Sequence, residues 1–189
     1  HLIATNTAMT ALTLAQSSSV VLENVTVSGD AAVGIAVEEL SDHLFFKNTD
    51  ITGQIATGLS LPGCASEVYL TNSNIQATSI GIVDGSTGGA YIKENTITAD
   101  EIGILIETAG SELRNNTVTS VNQAISIKNA KDILAALNTV TGSILCGDSD
   151  SVVILKNSAT SLTATGNKHL YTVSNTLSGR LTLTGNNYM

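Results

Sequence analysis

A phrase that returns eight times limits what this chain can fold into more than anything else in it. Its clearest copies are Tyr91-Ile92-Lys93-Glu94-Asn95-Thr96-Ile97-Thr98, Leu113-Arg114-Asn115-Asn116-Thr117-Val118-Thr119 and Leu137-Asn138-Thr139-Val140-Thr141. The apolar residue at the centre of the closing triplet falls at Val27, Ile51, Ile75, Ile97, Val118, Val140, Ala159 and Leu177, in steps of 24, 24, 22, 21, 22, 19 and 18 residues. A second marker, in a Gly-Ile-x-Ile phrase, keeps pace at Ile35, Leu59, Ile82, Ile104, Ile125, Ile144, Leu162 and Leu181. A partial earlier copy places the same two markers at Ile3 and Leu12.

The period narrows the architecture. Ankyrin and tetratricopeptide repeats run to about 33 residues or more, and here apolar residues alternate with the period of a strand rather than a helix. The Leu-x-x-Leu-x-Leu frame of leucine-rich repeats is absent. Short strands in coils of about 20 residues predict an all-β solenoid of parallel strands, each rung paired with the next. Eight to nine rungs at about 4.8 Å per step make a rod of roughly 40 Å. In Leu44-Phe45-Phe46-Lys47, alternation sends Leu44 and Phe46 inward and Phe45 and Lys47 outward. Glycines such as Gly29, Gly53, Gly142 and Gly179 are expected to open a variable turn before each Gly-Ile-x-Ile strand. The longest connections are expected at Glu38 to His43 and Pro62 to Glu67.

Composition agrees. The chain is 42% hydrophobic but only 3% aromatic, without Trp, which suits flat stacked strands better than a rounded core. Residues 1–189 read as a single domain, and a start at His1 reads as a piece of a longer chain. A net charge of −8 argues against nucleic acid as a partner. No apolar run approaches the roughly 20 residues of a membrane-spanning helix.

The bend supplies the most specific signal. One position reads Asn95, Asn116, Asn138, Asn157 and Asn175 in successive rungs, and the position before it reads Asn24, Asn48 and Asn72 in the first three. Asn tolerates the left-handed backbone of a tight bend. Stacked at one strand spacing, its amides can hydrogen-bond up and down the rod. With this internal Asn ladder, the chain resembles the right-handed, single-stranded parallel β-helix of the pectate-lyase-like superfamily from about Val20 to Leu183. The resemblance implies that the bend joins a second strand to a third, so that Gly-Ile-x-Ile is the first. It also implies a choice of activities, since the superfamily holds lyases, hydrolases, epimerases, tailspikes and non-catalytic surface proteins.

Enzymes of that superfamily carry their catalytic residues on the outward face of the first strand. Here that face reads Ala36, Ser60, Val83, Leu105, Ser126, Thr163 and Thr182, with no general acid or base. Glu38, Glu107 and Lys128 lie just past the strand ends, the last two expected as an exposed pair. Asn48-Thr49-Asp50 matches a polygalacturonase-like motif, but it sits on the Asn bend and lacks the companion motifs and second carboxylate that hydrolysis needs. No catalytic residue is assigned.

The second strand's outer face offers a candidate binding site. Phe45, Tyr69 and Tyr91 form one outward column, flanked by Lys47, Thr71, Lys93 and Arg114. Aromatic rings beside cations suit sugar rings and acidic groups. A lysine crowded by Arg114 would also suit a lyase base. Packing within the sheet or an oligomer contact is the plainer reading. A further array, Thr96/Thr98, Thr117/Thr119, Thr139/Thr141, Ser158/Thr160 and Thr176/Ser178, resembles the ice-facing grid of β-helical antifreeze proteins.

No cofactor or metal is expected. Gly147-Asp148-Ser149-Asp150 brings two carboxylates toward Ca²⁺, which takes about six to eight oxygens. His43 and His169 fall in one column, too far apart to share a metal, and Cys64 and Cys146 are rungs apart and unpaired with each other. Open strand edges at the rod's ends call for flanking domains or a homo-oligomer. The expected function is a non-catalytic β-helical module of a secreted, cell-surface or virion-surface protein. It would bind a glycan or polysaccharide, or a protein partner, or build an assembly as adhesins and tailspikes do. The alternatives are a polysaccharide lyase or hydrolase, and an ice-binding protein.

Overall fold

Alternating Ile, Val and Leu, spaced one coil apart, stack in register, and that stacking is the fold. A computed structural model describes residues 2–38, 41–63 and 67–187. Cys64, Tyr188 and the middles of the two longest connections lie outside the described residues. All described strands pair in parallel, and together they wind about eight turns.

The second-strand phrases form an eight-stranded sheet running from Val21–Glu23 through Leu44–Lys47, Val68–Thr71 and Ala90–Lys93 to Lys168–Val173. The remaining strands form a thirteen-stranded sheet. Both marker columns are confirmed by register. Val27 pairs with Ile51, Ile51 with Ile75, Ile75 with Ile97 and Ile97 with Val118. Ile35 pairs with Leu59, and the second column continues to Leu181.

Two expectations need correction. The glycines do not open a separate turn in every rung: Thr26–Val37, Asp50–Pro62, Thr117–Lys128 and Thr139–Gly147 are continuous strands spanning third and first positions. Gly29, Gly53 and Gly142 bend three of these at φ of 106°, 117° and 126°, which a side chain would resist. The chain therefore turns its corner without leaving the ladder. The first rung also slips by one. Leu2, not Ile3, pairs with Val27, while Ile3 pairs with Ser28 and is 62% exposed. An irregularity between Asn6 and Thr10 restores the phase, so Leu12 meets Ile35 as expected.

The glycine of Gly-Ile-x-Ile has a packing cause. A Cβ on Gly81 would come within 2.5 Å of the Gly103 carbonyl oxygen and 2.6 Å of an Ile97 methyl. The first strand thus passes directly over the third-strand Ile of its neighbour rung, and only Gly permits that approach. Within the core Val27, Ile35, Ile51, Leu59, Ile75, Ile82, Ile97 and Ile104 are all buried. One inward column breaks the apolar pattern: Leu61 pairs with Asp84, and Asp84 with Ile106.

Two corners carry left-handed residues rung after rung. One is the Asn bend, with Asn24, Asn48, Asn72, Glu94, Asn115, Leu137, Lys156 and Ser174 at positive φ. The residues after them turn inward as the ladder. Asn95 donates its amide to Asn116 at 3.0 Å, Asn116 to Asn138 at 3.0 Å, Asn138 to Asn157 at 2.9 Å and Asn157 to Asn175 at 3.1 Å. Asn24, Asn48 and Asn72 are not members of it, and the ladder continues instead through the Ser73 hydroxyl. The Ser73 backbone N–H donates to Asn95, and the Thr49 N–H to Ser73 Oγ. A second ladder, at another corner, runs through Ser149, Asn167 and Asn186.

Candidate functional site

Alternation in the four-residue second strands leaves two outward positions per rung, and parallel pairing lines each up along the rod. The first outward column reads Val21, Phe45, Tyr69, Tyr91 and Glu112. The second reads Glu23, Lys47, Thr71, Lys93 and Arg114. All six sequence-predicted binding residues, Phe45, Tyr69, Tyr91, Lys47, Lys93 and Arg114, therefore share one surface.

The rings stack. Phe45 and Tyr69 have centroids 4.8 Å apart and planes within 4°, and Tyr69 and Tyr91 repeat this at 4.8 Å and 7°. Tyr69 thus has both faces covered by other rings. The C-terminal end of the stack is closed by charge: Lys93 Nζ lies 5.7 Å from the Tyr91 ring centre. It also pairs at 3.2 Å with Glu112, which accepts a further hydrogen bond from Arg114. Burial alone would raise the Glu112 pKa, but the bonds from Arg114 and Lys93 prevail and hold it below the usual carboxylate range.

The N-terminal end differs. Val21 is too small to cover the Phe45 ring, and a cleft of about 460 Å³ opens along this step. Val21, Phe45, Phe46 and Tyr69 line it together with Glu23, Lys47 and Thr71, and most of the lining surface is apolar. Lys47 Nζ donates to Glu23 Oε1 at 2.8 Å. Each of the three cations in this column thus contacts a carboxylate, Lys93 and Arg114 sharing Glu112. Glu23 and Glu112 decide this, and both carry a sequence signal: Glu23 stands 24 residues before Lys47, and Glu112 stands 21 after Tyr91.

The other candidates fall elsewhere. The first-strand column expected to face outward runs in register through Ser60, Val83, Leu105, Ser126, Leu145, Thr163 and Thr182, but Ser126 is fully buried. No ion pair joins Glu107 and Lys128 among the described residues. Asn48, Thr49 and Asp50 serve the bend: Asn48 is left-handed, Thr49 is buried, and Asp50 accepts from the Asn74 amide at 2.8 Å. The threonine grid is in register, with Thr96 on Thr117, Thr117 on Thr139 and Thr139 on Ser158.

His43 lies 3.2 Å from Glu67 and 3.3 Å from Asp42, while His169 lies 2.6 Å from Asp150. That bond to His169 holds the Asp150 pKa below its ordinary value. Ser149, in the same Gly147–Asp150 stretch, points inward, its hydroxyl donating to the Gly147 carbonyl at 2.8 Å. Cys146 is buried and free, and burial pushes its thiol up to about 12, which makes it inert.

A family model described as right handed beta helix region matches residues 10–187. No curated protein and no solved structure matches the chain significantly.

Proposed function

This chain belongs to the right-handed β-helix family, and from that premise we propose that it is a non-catalytic binding module of a secreted or surface protein. It takes a glycan on the sheet face that carries Phe45, Tyr69 and Tyr91. The observation behind this reading is the cleft along the N-terminal end of the ring stack, mostly apolar in its lining, with Glu23, Lys47 and Thr71 also contributing. That mixture is what a sugar needs, with C–H faces to bury and hydroxyls to satisfy. A glycan array with the wild-type protein and the Tyr69→Ala and Tyr91→Ala variants tests it. Binding by the wild type that weakens in Tyr69→Ala supports the reading. Silence across the array reduces the protein to a scaffold, and release of unsaturated ends from pectin or alginate would make it a lyase.

The threonine grid favours a second reading, an ice-facing surface. Its hydroxyl-bearing positions are solvent-exposed almost throughout the C-terminal half of the sheet. Thermal hysteresis of a wild-type solution is the measurement, and freezing without hysteresis removes this reading.

A further inference from the structure

We infer that the ring stack is left open at its N-terminal end to receive one ring of a neutral saccharide as its next member, a proposal that rests on the glycan reading above. In this column three rungs place a flat ring on a flat ring at 4.8 Å. The rung before them places Val21 there instead, with 62% of its surface exposed. Phe45 therefore keeps one ring face that no aromatic covers, beside the cleft. The opposite end has no such vacancy, because Lys93 and Glu112 close it over Tyr91. One terminal face is free, and it is the one the cleft adjoins.

The rim decides what kind of ring fits. Glu23 offers acceptors, while Lys47 and Thr71 offer donors, all within the lining of the cleft. A sugar ring stacked on Phe45 brings hydroxyls that are both donors and acceptors to that rim. An aromatic side chain from a protein would cover the donors and acceptor sites that Lys47 and Glu23 keep beyond their mutual bond and offer them nothing, at about 1–3 kcal/mol for each buried group. An acidic sugar finds no unmatched cation at the cleft, since Lys47 is bound there to Glu23. The net charge of −8 also repels it. The chemistry points to uncharged residues of the glucose, mannose, galactose or xylose type.

Val21 is then the residue that keeps the place open. Val21→Tyr puts a fourth ring where the sugar would lie. Affinities for neutral gluco-, manno-, galacto- and xylo-oligosaccharides and for oligogalacturonate, measured by titration calorimetry, decide the matter. The wild type is expected to bind at least one neutral series and not oligogalacturonate. Val21→Tyr is expected to lose that binding by about tenfold or more, with a thermal midpoint equal to or above the wild type. Tyr171→Ala, at the C-terminal end of the same column, is expected to bind as the wild type does. Undiminished binding by Val21→Tyr overturns the stacking site while the glycan reading stands. Preference for oligogalacturonate overturns neutrality, and no binding to any saccharide overturns both.

Discussion

Asp84 points into the core between Leu61 and Ile106, out of reach of solvent. Its carboxylate accepts from the Ser86 hydroxyl at 2.6 Å and the Ser111 hydroxyl at 2.5 Å, and among the described residues no charged side chain partners it. Burial raises its pKa above the ordinary 3.8, and the bonds from Ser111 and Ser86 offset part of that rise. A carboxyl with a higher pKa folded than unfolded stabilises the fold below the unfolded value. It loses that contribution as pH rises through the folded value. Asp84→Asn removes the titration and keeps the shape. Its thermal midpoint, compared with the wild type at pH 4 and pH 8, should gain on the wild type as pH rises. A gap that does not change with pH would mean Asp84 is neutral across that range or reaches water. Alternation that sets Ile82 inward and Val83 outward already points Asp84 inward. The two hydroxyls that make it tolerable, one from the next rung, are legible only once the coil is closed.

At the scale of the element, the Asn bend assigns two jobs to two neighbouring positions. Asn116 buries its amide, donating to the Ile92 carbonyl at 2.8 Å while its own oxygen accepts from the Asn95 backbone N–H at 3.0 Å. Asn48, at φ 50°, sits outside, its side-chain amide donating to the Asn24 oxygen at 3.1 Å. Asn116→Ala orphans the Ile92 carbonyl and the Asn95 backbone N–H, both on the rung before it, at about 1–3 kcal/mol each. The thermal midpoint should fall by roughly 5–15 °C for a chain of this size. Asn48→Ala meets only the left-handed penalty of about 1–2 kcal/mol. Equal losses in the two melts would mean the ladder does not hold the corner. The recurrence of Asn and the step lengths made the rungs, the ladder and the aromatic column readable from sequence, because each depends on period alone. The continuous strands through Gly29 and Gly53 were not, since a bend inside a ladder and a turn between strands call for the same glycine. The ion pairs of Glu23 and Glu112 were missed for a related reason: a charge on an exposed strand reads as solvated until its column is traced.

For the whole molecule, each rung is stable because the next covers it, so the last rung in each direction is the weak one. Leu181 and Leu183 continue columns that are buried for most of the rod, yet they are 52% and 37% exposed. At the other end Leu12 and Leu14 occupy the same two columns, half-buried. Among the described residues the two ends therefore present matching apolar rows and parallel edges with no partner strand, the arrangement in which one strand edge templates another. A copy seated on the last rung would place its Leu12 and Leu14 in line with Leu181 and Leu183, and the contact does not close on itself, so further copies can add. The prediction concerns this chain of 189 residues: its sedimentation coefficient should rise with concentration, and salt should strengthen the effect by screening the net negative charge. Leu183→Lys places a charge at the seam and should hold the protein monomeric without lowering its melting point by more than a few degrees. A wild-type chain that stays monomeric at millimolar concentration would show that its end rungs tolerate water, and that neither a flanking domain nor a second copy is needed to cover them.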